Sequence, residues 1–136
     1  MKMFVLPQDS RALMTKAGQI MKSYNPIACI AIEGDRVIMI EDIPANEEKT
    51  KFYRLEYRSN PQGTEAEAFL LYNPFGDNPF SFEESHLRED GWLCLAKGNK
   101  WPLEFVIQRA RFWCHCYTYL RQHGLEALRR IVPEWG

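Results

Sequence analysis

Tyr53-Arg54-Leu55-Glu56-Tyr57-Arg58 alternates large apolar with charged side chains in strict period two, which predicts a strand with one wet face. Working outward, Ser59-Asn60-Pro61-Gln62-Gly63 is turn chemistry, and Ala66 to Tyr72 reads as the next strand. On the other side, residues 41–51 are acidic and contain Pro44 and Asn46, which predicts a loop. Before that loop lie two β-rich runs, Ile27-Ala28-Cys29-Ile30-Ala31-Ile32 and Val37-Ile38-Met39-Ile40. Glu33-Gly34-Asp35-Arg36 joins them as a tight hairpin. The strands follow one another with short connections, so the expected sheet is a four-stranded antiparallel meander.

Helices flank it. Asp9-Ser10 is an N-cap pair, and Leu13, Met14, Ala17, Ile20, Met21 and Tyr24 form one apolar stripe that Asn25-Pro26 ends. At the far end Trp101-Pro102 opens a long helix. Its core stripe runs through Leu103, Val106, Ile107, Ala110, Trp113, Cys114, Tyr117 and Leu120, opposite a polar face of Glu104, Gln108, Arg111, His115, Thr118 and Gln122. Gly124 stops it, and a shorter helix from Leu125 to Val132 ends at Pro133. The fold class is therefore α+β.

The 136 residues are expected to form one domain, 1–136, since a chain of this size buries roughly two-thirds of its unfolded surface without staples. With 46% hydrophobic and 26% charged residues and a net charge of −1, the composition argues against disorder and against holding nucleic acid by bulk charge. Met1 to Pro7 has too short an apolar run for a signal peptide, and Ile27 to Ile32 is too short to span a bilayer. A cytoplasmic protein without a membrane partner is expected, with its four cysteines as free thiols.

Cys114-His115-Cys116 has metal-ligand residue types, but on a helix neighbours point about 100° apart and do not converge on one ion. No metal and no cofactor are expected. Cys29 and Cys114 read as small buried hydrophobes, Cys116 has no evident activator, and His123 reads as a cap at the end of the long helix. Cys94 differs. It follows residues 73–91, a long stretch of turn residues and aromatics without periodicity, which is more often functional than decorative. That stretch supplies His86, Glu89 and Asp90, polar groups able to orient a carbonyl or move a proton near a thiol.

Gly91-Trp92-Leu93-Cys94-Leu95 followed by Trp101-Pro102, after a helix and a meander, resembles the ubiquitin-conjugating (E2) enzymes and their divergent bacterial relatives. In that family a helix, a four-stranded meander and an irregular loop lead to a Gly-x-Ile-Cys-Leu active site and a Trp-x-Pro that opens a helix. The family's motif asparagine falls eight residues before the cysteine, where this chain has His86 between Ser85 and Leu87. The Trp-Pro step lacks the intervening residue, and no acidic residue after the cysteine aligns. The order of elements matches over residues 10–122, and specific spacing is confined to residues 86–102.

The resemblance implies a UBC-like fold and a transthiolation. Cys94 would take the C-terminal acyl group of a ubiquitin-like protein from an E1-like adenylating enzyme and pass it to an amine. His86 would serve as oxyanion donor or base, with Glu89, Asp90, Trp92 and Trp101 as supporting residues. Phe75, Phe80, Phe82 and Trp92 would line a groove for the modifier tail, although packing on the core suits at least half of them. The helix face with Arg11, Lys16 and Lys22 would meet the E1-like partner or simply face water. Bacterial E2-like proteins of this kind occur in anti-phage operons, including CBASS-type systems, where a CD-NTase-type nucleotidyltransferase is the partner. The rival reading is a non-catalytic E2-variant-like binding module in which Cys94 only packs; a small zinc or redox protein is a third.

Overall fold

The computed structural model describes residues 9–98 and 100–135; the segment from Met1 to Pro7 that bears on a signal peptide lies outside them. Four strands, β1 (Cys29–Glu33), β2 (Arg36–Pro44), β3 (Phe52–Ser59) and β4 (Ala66–Tyr72), pair antiparallel in the order β1-β2-β3-β4. This is the expected α+β meander. In β3 the alternation predicted from sequence holds: Tyr53, Leu55 and Tyr57 are buried, while Arg54 and Arg58 pair with Asp42 and Glu56 on the other face.

Two boundaries differ from expectation. β2 continues to Pro44, through residues read as a loop. Its Glu41 is buried, and the Arg111 guanidinium binds both carboxylate oxygens at 2.7 and 3.1 Å. Asn25 Nδ2 and the Tyr57 hydroxyl also donate to it. An acidic residue thus sits inside the strand because three donors replace its water. The first helix is also two helices, α1 (Ser10–Leu13) and α2 (Lys16–Tyr24). Thr15 breaks it: its Oγ1 accepts from Gly18 N at 2.9 Å and donates to Ala12 O at 2.6 Å. A Cβ at Gly18 would stand 2.1 Å from Ala12 O, so glycine permits the tight corner.

The inner face of the sheet is covered by α4 (Leu103–His123), followed by α5 (Leu125–Ile131). Every residue of the expected α4 stripe is buried, and Cys116 joins it. Trp113 stacks on Tyr117 at 4.7 Å and meets Tyr53 edge-on at 6.0 Å. These are rings whose burial is worth roughly 2–3 kcal/mol each. Two members of the expected polar face are inward partners instead. Arg111 binds Glu41, and Thr118 shares a 2.7 Å hydrogen bond with the Tyr53 hydroxyl. Among the described residues no helix is long and apolar enough to cross a membrane.

A hairpin that brings His86 to Cys94

The long segment after β4 is not structureless. Ser81 and Glu84 form a reciprocal capping box over a one-turn helix, α3 (Phe82–Ser85). Ser85 at its end is fully buried, donates to Ser81 O and receives Asn78 Nδ2 at 3.0 Å and Leu87 N at 3.3 Å. His86 follows with φ +58, a left-handed conformation uncommon for a side-chain-bearing residue.

From there the chain folds into a short hairpin. Arg88 N donates to Trp92 O and Cys94 N to His86 O, both at 2.9 Å, with Leu87 opposite Leu93. The turn is closed by Gly91 N to Arg88 O, and by Asp90, which holds Arg88 at 2.7 Å and accepts from Trp92 N at 3.1 Å. In this register His86 lies opposite Cys94. The eight-residue spacing is therefore the length of a hairpin that returns the chain from His86 to Cys94.

The hairpin is tied to the free edge of β4. Leu70 N donates to Gly91 O at 2.7 Å, Leu93 N to Ala68 O at 3.0 Å and Ala66 N to Trp101 O at 2.7 Å. Gly91 has φ +94, and a Cβ there would lie 2.6 Å from Leu70 O. Only glycine lets the backbone approach this closely in this conformation.

His86 and Cys94 line one cavity of about 370 Å³, with Arg109 and Phe112 of α4, Lys97, and Trp135 beyond α5. Cys94 is half-buried. The His86 imidazole is held below the usual histidine range because burial penalises its charged form. Arg109 Nε and Nη2 each reach Leu95 O at 3.4 Å, which fixes the wall next to the thiol.

The other candidate residues are not brought to this cavity. Asp90 builds the hairpin turn, and Arg88 holds its carboxyl below the usual carboxylate range. Glu89 and Asp90 line a separate groove with Phe80 and Phe82. Trp92 stacks on Phe82 at 6.3 Å and carries the Arg88 guanidinium 4.8 Å from its ring centre. Trp101 packs on Phe105 at 5.3 Å. Phe75 and Phe80 pack against the core, so of the four loop aromatics Phe82 is the most exposed.

On α4, Cys114 and Cys116 are buried while His115 is exposed. Burial drives the Cys114 thiol far up and pushes Cys116 to about 11. His123 packs its ring on Tyr119 at 4.4 Å, and the helix end is closed by Gly124 N to Leu120 O. Cys29, read as buried, is half-exposed in a groove on the outer sheet face, because the strand alternation that buries Ile30 turns its neighbour Cys29 the other way. On the first helices Arg11 pairs with Asp9, and Lys22 Nζ binds Pro26 O and Ala28 O at 2.8 Å.

Sequence reading placed Trp113 on the core stripe but did not foresee that it, with Asn78, Ser85 and Trp135, holds α3 and His86 in place. The local signal for α3 in the sequence is the Ser81-x-x-Glu84 capping box. Compared with protein-family models, curated proteins and solved structures, the chain finds no match. The site is read from its own geometry.

Proposed function

We propose that Cys94 is the nucleophile of an E2-like acyl transfer on a UBC-like fold. The observation that carries the proposal is the hairpin register that sets His86 opposite Cys94 in one cavity. The element order, two short helices, a meander, an irregular loop and two further helices, supports the family reading.

In the first step the Cys94 sulfur attacks the carbonyl carbon of a thioester on an E1-like donor. A new carbon–sulfur bond forms, the old one breaks, and the donor leaves as a thiol after taking up the proton that Cys94 gives up. In the second step an amine attacks the Cys94 thioester. Cys94 leaves as thiolate, the amide forms, and the amine proton must be taken away. A neutral imidazole has a free acceptor nitrogen for that proton, and the half-buried His86 is disposed to be neutral. Lys97 and Arg109 supply positive charge on the cavity wall, where an oxyanion develops. A thioester is already activated, so positioning is the protein's main contribution.

A ubiquitin-like protein or a nucleotidyltransferase of an anti-phage operon is the partner class this reading implies. The test is intact mass and a non-reducing gel on protein expressed with its operon neighbours. A thiol-sensitive adduct is expected in the wild type, none in Cys94→Ala, and a thiol-resistant one in Cys94→Ser. Absence of any adduct with active partners present would favour the binding module.

A further inference from the structure

α3 is a single turn in which Phe82 O accepts from His86 N at 2.7 Å, and the carbonyls of Glu84, Ser85 and His86 find their donors outside it. Two indoles and one amide take them up in sequence. Trp135 Nε1 donates to Glu84 O at 2.8 Å, Trp113 Nε1 to Ser85 O at 2.8 Å, and Cys94 N to His86 O at 2.9 Å. The three acceptors are the residues that carry the chain into the left-handed turn at His86. Such a conformation persists at a non-glycine residue when its surroundings over-determine it.

Trp135 does a second thing. Its ring meets the His86 imidazole edge-on, 4.8 Å between centroids, and is itself 8% exposed. The segment that carries it is anchored by Val132 N to Leu128 O at 2.8 Å and Trp135 N to Val132 O at 2.9 Å. We propose that Trp135 is a positioning residue which, with Trp113, fixes the direction of the His86 imidazole and shields it from water in the Cys94 cavity.

This inference rests on the reading of His86 and Cys94 as the reacting pair. The ionisable groups that share the cavity with His86 are Cys94, Lys97 before α4, Arg109 on α4 and Glu134 beside Trp135. None of them is the cause of the low imidazole value; desolvation is, and Trp135 is the ring packed on the imidazole.

The test is an NMR pH titration of the His86 imidazole in wild type, Trp135→Phe and Trp135→Ala, with exposed His115 and His123 as references in the same spectra. In folded Trp135→Ala the His86 midpoint is expected to rise toward the ordinary value near ~6.5. In Trp135→Phe a ring remains and the midpoint stays low. An unchanged His86 midpoint in folded Trp135→Ala would overturn the proposal. Should that variant lose its cooperative melt, the wild type decides. Nuclear Overhauser contacts between the imidazole and the indole, with slow exchange of the Trp135 Nε1 proton, are expected, and lack of both would overturn it. These readouts are independent of acyl transfer, so a failed adduct experiment leaves them interpretable.

Discussion

Cys94 and Cys29 are both half-exposed and both line a groove, yet the grooves are built differently. That around Cys29 is the larger, about 680 Å³, and is walled by Glu41 and Asp42, each already bound to an arginine. That around Cys94 is about 370 Å³ and holds an imidazole of low basicity, a lysine and an arginine. Cavity size and thiol exposure therefore do not pick the nucleophile. What separates the two is the company each thiol keeps: the hairpin of residues 86–94 puts a histidine into the cavity that Cys94 lines, and the Cys29 groove has none.

The comparison is broken most severely from the Cys29 side. Arg111→Leu leaves the buried Glu41 carboxylate without its cation, and a cost of about 3–5 kcal/mol is expected in urea unfolding. Alkylation of Cys29 should accelerate with it, because Glu41 is part of that groove.

From the other side, Gly91→Ala forces a left-handed alanine against Leu70 O. A loss of about 1–3 kcal/mol is expected, with the hairpin released from β4. Cys94 alkylation should change and Cys29 alkylation should not, as peptide mapping of labelled protein would show.

His86 sharpens the comparison. Asparagine tolerates the left-handed conformation, whereas valine there costs about 1–2 kcal/mol. His86→Asn should stay folded and keep a hydrogen-bond donor while losing the proton acceptor. If His86 is the base, amine transfer from a loaded Cys94 falls about a hundredfold, the low end of general-base catalysis. Transfer at the wild-type rate would reassign His86 to oxyanion binding.

The smallest effect is on pH and stability. The folded-state value of His86 lies below its unfolded value near ~6.5, so on acidification the unfolded chain takes the proton first. Its contribution is fully present above the unfolded value and is lost as pH falls through the folded one. Urea midpoints between neutral and mildly acidic pH should therefore fall more in wild type than in His86→Asn.

Much of the fold was legible from local pattern. The alternation of β3, the limits of β4 and the apolar stripe of α4 are periodicities that tertiary contacts only reinforce. Where sequence reading failed, a distant partner had changed the meaning of a residue. Glu41 looked like loop acid because Arg111 is 70 residues away, and the same pairing hid Arg111 on the polar face. Thr15 and Gly18 broke the first helix through contacts with Ala12 that an apolar stripe does not reveal.

At the candidate site, residue type drew attention to Cys94 and to the polar loop before it, the resemblance to the E2 family picked out His86 eight residues upstream, and a hairpin accounts for that spacing. Glu89, Asp90, Trp92 and Trp101 were attractive by proximity in sequence, but the hairpin turn and the β4 edge occupy them. Trp113 and Trp135 lie 28 and 51 residues from the carbonyls they bind, beyond the reach of any local signal.

The most direct measurement is competitive alkylation of the native protein with a limiting thiol reagent at neutral pH, quantified at each of the four cysteines by peptide mass. The account predicts that Cys94 is modified first, Cys29 well after it, and Cys114 and Cys116 only on unfolding. Modification of Cys29 before Cys94, or of both at one rate, would contradict it.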